Sequence, residues 1–340
     1  MSLRQRPSAS LPPPRLQRRR TVLASLAAGL ASGTGLLAQA QADWPTRPVK
    51  LISPYAAGGA SDLSARVLGE YLAKVLGQQF VVENKPGAGT RVGTEFVARA
   101  PADGYTVLYV AAPYATVEAL YGQGLSYQRE QLRPIAMAMH APLFLIVNAQ
   151  TPINTVRDLV AFSKTRPGGL NIGTPGAGSQ PHLAGELLLR EAGMEGINVH
   201  MRGDALAYSE LLAGRVDATL TAISSALPHI AAGKLRVLGV ASDKRSALYP
   251  SAPTIREQGF PSVVASGWYG FMVPAATPAE VAAKLQSAVL RALDDPAVRQ
   301  KLLDLGLEAS GAPGAAFAAF IDDQTRKWTG LIRNAHIKID

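Results

Sequence analysis

The sequence predicts an α/β protein of two lobes, each a mixed, mostly parallel sheet flanked by helices. Three observations lead there. Between Val49 and Ala111, short apolar runs alternate with helical patterns in the order strand, helix, strand, short helix, strand, the rhythm of a parallel α/β unit. The glycine-rich strand-to-helix loop at Pro54–Asp62 has a counterpart in the later half, Gly173–Ser179. The chain beyond the N-terminal segment, about 300 residues, is long enough for two domains of about 100–200 residues each.

Residues 1–42 are expected to lie outside this fold. Arg4, Arg6, Arg15, Arg18, Arg19 and Arg20 form a basic region without an acid, and Thr21–Leu37 is apolar and rich in small residues. Ala40–Gln41–Ala42 then offers a cleavage site before Asp43, the layout of a secretory signal peptide. Arg19–Arg20–Thr21–Val22–Leu23 also fits a twin-arginine export signal. The apolar stretch is short and interrupted by glycine, whereas a membrane span needs about 20 apolar residues. The formal charge of the whole chain is +9. Those six arginines carry six of the nine charges and leave +3 for residues 43–340. So small a surplus does not argue for nucleic acid, which asks for a basic patch or stripe, and it suits a small anionic ligand. The absence of cysteine excludes disulfides, thiolate metal sites and a lipid-anchored cysteine, and the five histidines show no metal-ligand spacing. No cofactor or metal is expected.

In chain order, Val49–Ser53 reads as a buried strand. The helix after it carries Leu63, Val67, Tyr71, Leu72, Val75 and Leu76 on one side, with Ser61 as N-cap and Asp62 in the first turn, where negative charge is favoured. Gly58 and Gly59 permit a sharp turn and leave amides uncovered. Such a loop seats an anion well, though an ordinary flexible turn looks the same. Phe80–Glu83 is a second strand, Gly93–Arg99 a short helix, Asp103–Gly104 a turn and Thr106–Ala111 a third strand. The apolar run Ile135–Asn148 carries strands into the second lobe. Thr155 and Asp158 make a capping arrangement for a helix to about Arg166, which Pro167–Gly168–Gly169 ends.

Leu170–Gly173 is the next strand, and Ser179 caps a helix from Gln180 to about Glu191. Two glycine loops facing each other would direct two sets of amides into one cleft. Asn198–Met201 is a strand, Ala205–Ala213 a helix and Ala218–Thr221 a strand; Ser225 is expected to cap a helix to Ala232, and Val237–Ala241 is a further strand. The aromatic strand Trp268–Val273 returns to the first lobe. Thr277–Pro278–Ala279–Glu280 signals a helix start with Thr277 as N-cap, and the helices Pro296–Leu305 and Pro313–Asn334 complete the chain.

Catalytic constellations are absent from the pattern. Neither glycine loop supplies G-x-S-x-G, there is no phosphate loop, and Gly176–Ala177–Gly178 lacks the third glycine of a dinucleotide fingerprint. His182, three residues after Ser179, reads as an ordinary histidine early in a helix, and Asp204 and Asp217 as local structure. A hydrolase using Ser179 or Ser61 stays as an alternative, as does an extracytoplasmic sensor that presents its ligand to a signalling partner.

Several stretches in order resemble one family: Trp44–Leu51, Pro54–Asp62, Val82–Gly89, Ala102–Thr106, His182–Glu186, Ala226–Lys234 and Pro253–Thr254. Together, across residues 44–340, they are similar to the Bug-type periplasmic solute-binding proteins of tripartite tricarboxylate transporters. The resemblance implies a type II periplasmic-binding-protein-like fold with a hinge. Its first lobe would be 43–143 plus 265–340 and its second 144–264, following the signal peptide 1–42. It implies a monomeric, non-enzymatic periplasmic protein that captures a small organic carboxylate between the lobes and delivers it to membrane permease subunits.

Carried over to this chain, the binding positions are Tyr55, Ala56, Ala57, Gly58, Gly59, Ser61 and Asp62 in the first loop, with Tyr114 after the third strand. In the second lobe they are Thr174, Gly176, Ala177, Gly178, Ser179, His182, Met201, Arg202, Thr221 and Ser224. The chain departs from the family where Val199–His200–Met201–Arg202–Gly203 replaces Val-Pro-Tyr-Lys-Gly, where Thr221 replaces an acid, and at Ala111–Ala112–Pro113–Tyr114. Loss of a tyrosine and a carboxylate from the wall points away from di- or tricarboxylates and amino acids, toward an aromatic or less polar carboxylate.

Overall fold

A computed structural model describes residues 44–122 and 124–337. The expected signal peptide therefore lies outside the described residues. Within them, the strands are β1 (Val49–Ser53), β2 (Phe80–Asn84), β3 (Thr106–Ala111), β4 (Leu132–Pro142), β5 (Phe144–Asn148), β6 (Leu170–Thr174), β7 (Gly196–His200), β8 (Ala218–Thr221), β9 (Leu235–Val240), β10 (Ser266–Pro274) and β11 (Glu308–Pro313). The helices are α1 (Ala60–Leu76), α2 (Arg91–Ala98), α3 (Val117–Tyr121), α4 (Val156–Ser163), α5 (Gln180–Glu191), α6 (Asp204–Leu212), α7 (Leu227–Ala231), α8 (Ala279–Asp294), α9 (Pro296–Asp304) and α10 (Gly314–Asn334). Among the described residues, no helix is long and apolar enough to cross a membrane.

The strands form two sheets, ordered β11-β4-β10-β3-β1-β2 and β7-β6-β8-β5-β9. Both are mixed. In the first, β1 pairs parallel with β2 and β3, while β10 and β11 bring antiparallel pairings. In the second, β6 pairs parallel with β7 and β8, and β5 antiparallel with β8 and β9. Parallel pairing is thus less dominant than expected, because β4, β5 and β10 are the strands on which the chain passes from one sheet to the other and back. Leu143 alone separates β4 from β5.

The central strands β3, β5 and β8 are buried on both faces. Ile52, Leu108, Val110 and Trp268 of the first sheet pack with Phe317 and Ile321 of α10, all nearly inaccessible to solvent. Leu145, Val147, Ile172 and Leu220 of the second sheet pack with Leu183, Leu187 and Leu188 of α5 and with Leu159 of α4. Burying each such side chain is worth about 1.5–3 kcal/mol.

The helix starts test the capping expectations closely. At α4 the box closes in both directions: the Asp158 amide donates to Thr155 Oγ1 at 3.1 Å, and the Thr155 amide to Asp158 Oδ2 at 2.9 Å. Thr155→Ala is expected to cost about 1 kcal/mol, read as a lowered denaturant midpoint with unchanged slope. Ser179 caps α5, accepting the His182 amide at 3.3 Å. Three other expectations are corrected. Gly59, not Ser61, is the N-cap of α1; Ser61 sits inside the first turn, buried, its hydroxyl 3.1 Å from that of Ser53. Pro278, extended at ψ 140°, takes the cap position of α8, and the Thr277 hydroxyl is buried with no partner among the described residues. Ser225 lies in a 3₁₀ turn, and α7 starts only at Leu227.

Candidate binding cleft

The carboxyl ends of β1, β3, β6 and β8 converge with the start of β10 on a cleft of about 410 Å³. That volume is within the usual small-molecule range of about 300–1,000 Å³. In open α/β sheets this is where ligands bind, since the loops there connect parallel strands to helix starts. Tyr55, Ala112, Pro113, Tyr121, Trp268 and Tyr269 form one side; Pro175, Ala177–Pro181, Asp204, Thr221 and Ala222 form the other. The two glycine loops do meet a common space, but unequally. Of the first loop only Tyr55 is in the wall, while the second contributes five consecutive residues, Ala177–Pro181, that reach into the start of α5.

Several of the expected ligand positions are occupied with holding that scaffold. Ala56, Ala57, Gly58 and Gly59 are exposed on the turn, and the Gly58 amide is taken by Asp62 Oδ2 at 3.0 Å. Asp62 is buried and pairs with Arg66 at 2.9 Å; that guanidinium, then the Gly58 amide, hold its carboxyl below the usual carboxylate range despite burial. In the second loop, the Gly178 amide donates to His182 Nδ1 at 2.9 Å and the Ser179 hydroxyl to the Gly176 carbonyl at 2.6 Å. Gly178 has φ 69°, a left-handed conformation that favours glycine and aims this amide back at the helix. His182 is pushed down to about 4, first by burial and then by His200, whose Nδ1 is 2.8 Å from the Thr174 hydroxyl. Both groups of the Ser179–His182 pair are thus engaged with backbone rather than with each other.

Tyr114 is buried against Tyr127, its hydroxyl donating to the Arg129 carbonyl at 3.3 Å, and it is not in the cleft wall. Met201 packs beside Gly173, Arg202 is exposed, and Ser224 lies against Gly306. Of the expected positions, Tyr55, Ala177, Gly178, Ser179 and Thr221 line the cleft.

Three wall residues escaped sequence reasoning. Gln180 opens α5; it is 9 % exposed, and its side-chain Nε2 is buried with no hydrogen-bond partner among the described residues. Trp268, on the opposite side of the cleft, likewise has a buried indole N–H without a partner among the described residues. Leaving a buried donor unsatisfied costs about 1–3 kcal/mol, so natural structures rarely retain one without a use. The third is Asp204 at the start of α6. It accepts a hydrogen bond from the Thr221 hydroxyl, and burial raises its carboxyl above the usual range against the opposing effect of that bond. Its charge also reaches across the cleft: Tyr269 is pushed up to about 12, by burial first and Asp204 second. The carboxylate missing at Thr221 is therefore supplied by the residue bonded to Thr221, and Asp204 belongs to the cleft rather than to local structure alone.

The chain is similar to known proteins over most of its length. A family model described as "Tripartite tricarboxylate transporter family receptor" matches residues 64–337. Protein BugT of Bordetella pertussis is 34 % identical over 308 residues, 90 % of this chain and 94 % of BugT. Among solved structures, a TctC solute binding protein from Polaromonas superposes with a TM-score of 0.77 at 29 % identity, covering 86 % of this chain and 99 % of that one. Rpa4515 of R. palustris, solved with adipate, gives 0.75 at 29 % identity over 87 % and 100 %. The chain belongs to the tripartite tricarboxylate transporter receptor family, the group that contains the Bug proteins.

Proposed function

We propose that this protein captures a small organic carboxylate in the cleft between its two sheets and hands it to the membrane permease subunits of a secondary transporter, without chemical turnover. On this reading it is an exported, monomeric periplasmic protein. Residues 1–42 are its signal peptide, 43–143 plus 265–340 one lobe and 144–264 the other, with closure about the crossings near Leu143 and Ala265. The observation that carries the reading is the start of α5. The Gln180 side-chain amide is buried, without an acceptor among the described residues, in a cleft wall that also presents the N-terminal end of α5, where the helix dipole favours an anion. A ligand carboxylate supplies the missing acceptor, and closing the cleft removes water and strengthens those bonds.

The first test is a thermal-shift screen of mono-, di- and tricarboxylates on the full mature chain. A ligand held at 100 times its dissociation constant adds about 2.7 kcal/mol of stability. Gln180→Met keeps the volume and removes the donor, so affinity is expected to fall roughly 10- to 100-fold, as for a lost hydrogen bond to a charge, with the unliganded melting temperature retained. Calorimetric titration showing equal affinity in the variant would remove Gln180 from the site, and a flat response to all anions would remove the function.

A further inference from the structure

We propose that Asp204 makes the cleft selective for a zwitterionic amino carboxylate, its carboxylate held at the start of α5 and its ammonium at Asp204. The inference rests on the carboxylate-binding reading above and narrows it. Among the described residues lining the cleft there is no Lys, Arg or His, and Asp204 is the one carboxylate. Amide dipoles and the unpartnered Gln180 donor can hold a single carboxylate. A second carboxylate would meet no cation and would confront Asp204. An ammonium instead neutralises Asp204, fills the remaining acceptor capacity of a carboxylate that already receives one bond from Thr221, and offsets the burial that works against its charge. In a zwitterion the ammonium is thus paired with Asp204 and the carboxylate is hydrogen-bonded by the Gln180 amide, the conditions under which burying charge is tolerated.

The rest of the wall fits an apolar side chain on that ligand. Tyr55, Tyr121, Trp268 and Tyr269 present aromatic surface, and Ala112 and Pro113 take up little room. Asp204 is held in place by structure that does not depend on a ligand. It begins α6, where negative charge suits the helix start, and Tyr208 one turn on fixes the end of β8 by donating to the Ala222 carbonyl at 2.5 Å.

The test is titration calorimetry on the full mature chain with matched probes: the common α-amino acids, 3-phenylpropionate and 4-methylvalerate as the forms of phenylalanine and leucine lacking the amino group, and adipate. The expected result is that an amino acid with an apolar side chain binds, and that its counterpart without the ammonium binds roughly 10- to 100-fold more weakly. Asp204→Asn is expected to erase that ratio, while Gln180→Met weakens both members of a pair and keeps it. Binding of adipate or of the ammonium-free probes as tight as, or tighter than, the amino acids overturns the inference and leaves carboxylate binding standing. An unchanged ratio in Asp204→Asn also overturns it, and silence to every probe overturns both readings.

Discussion

Gly270→Ala is expected to destabilise the protein by about 3 kcal/mol, the upper part of the range for forcing an extra methyl into a packed core. Gly270 lies in β10, hydrogen-bonded between β3 and β4, opposite Val110 on one side and Met137 on the other. A Cβ placed there would run into the Phe317 ring and come within 2.8 Å of the Ala136 carbonyl oxygen. Neither neighbour can give easily. Ala136 is backbone of the adjacent strand, and Phe317 is fully buried, edge-on to Trp268 with ring centres 5.5 Å apart. The strain would pass to Trp268 and Tyr269, which line the cleft, so ligand affinity should fall with stability. Denaturant unfolding followed by circular dichroism reads the first effect. A loss below about 1 kcal/mol would mean that α10 can lift from the sheet without much cost.

Much of this fold is written locally. β1, β3, β8 and α5 fall on the residues that apolar periodicity and Ser179 mark, because each is a short buried run bounded by turn residues or a helix whose cap side chain does bond the first turn. β11 is different. Its sequence, Glu308–Pro313, is polar with Gly311 and Pro313, and it is a strand only because β4 offers it a free edge. The five residues of α3 are too few to show a helical period. The cap misreadings share one cause: Ser61, Thr277 and Ser225 are good cap residues next to a backbone that starts its helix one or more residues elsewhere.

The site was legible as a pair of loops, but its chemistry was not. Gln180 and Asp204 stand 24 positions apart and became wall partners through the parallel pairing of β6 with β7 and β8, which sets the starts of α5 and α6 on one rim. The departure at Thr221 was visible, yet its compensation lies 17 residues earlier and shows only when the hydroxyl is seen donating to Asp204. Conversely, Asp62 and His182, which the family resemblance sets among the binding positions, accept the amides of Gly58 and Gly178 and so shape the loops from behind.

Trp328→Ala should produce a loss of about 3–5 kcal/mol, the cost of deleting a large buried aromatic and leaving a cavity. Trp328 is in the last third of α10 and wholly buried, and its indole N–H donates to Gln324 Oε1 at 2.8 Å within the same helix. The helix uses two faces. Phe317 and Ile321 pack on the first sheet, whereas Trp328 and Ile332 join the cluster built from α5 and the second sheet, with Leu183, Leu187 and Leu188. The last helix of the chain is therefore a strut against both layers. Removing the indole leaves the first-sheet face intact and empties the second, so the loss should appear mainly as faster unfolding of the α5 side, detectable as early amide exchange in 180–191. Trp328 is absent from the cleft wall. Where the variant remains folded, its ligand dissociation constant should thus stay within about threefold of the unaltered protein, as expected for distant sites that act independently. A tenfold or larger loss of affinity would show instead that the strut fixes the width of the cleft, and the binding geometry would then depend on the far end of α10.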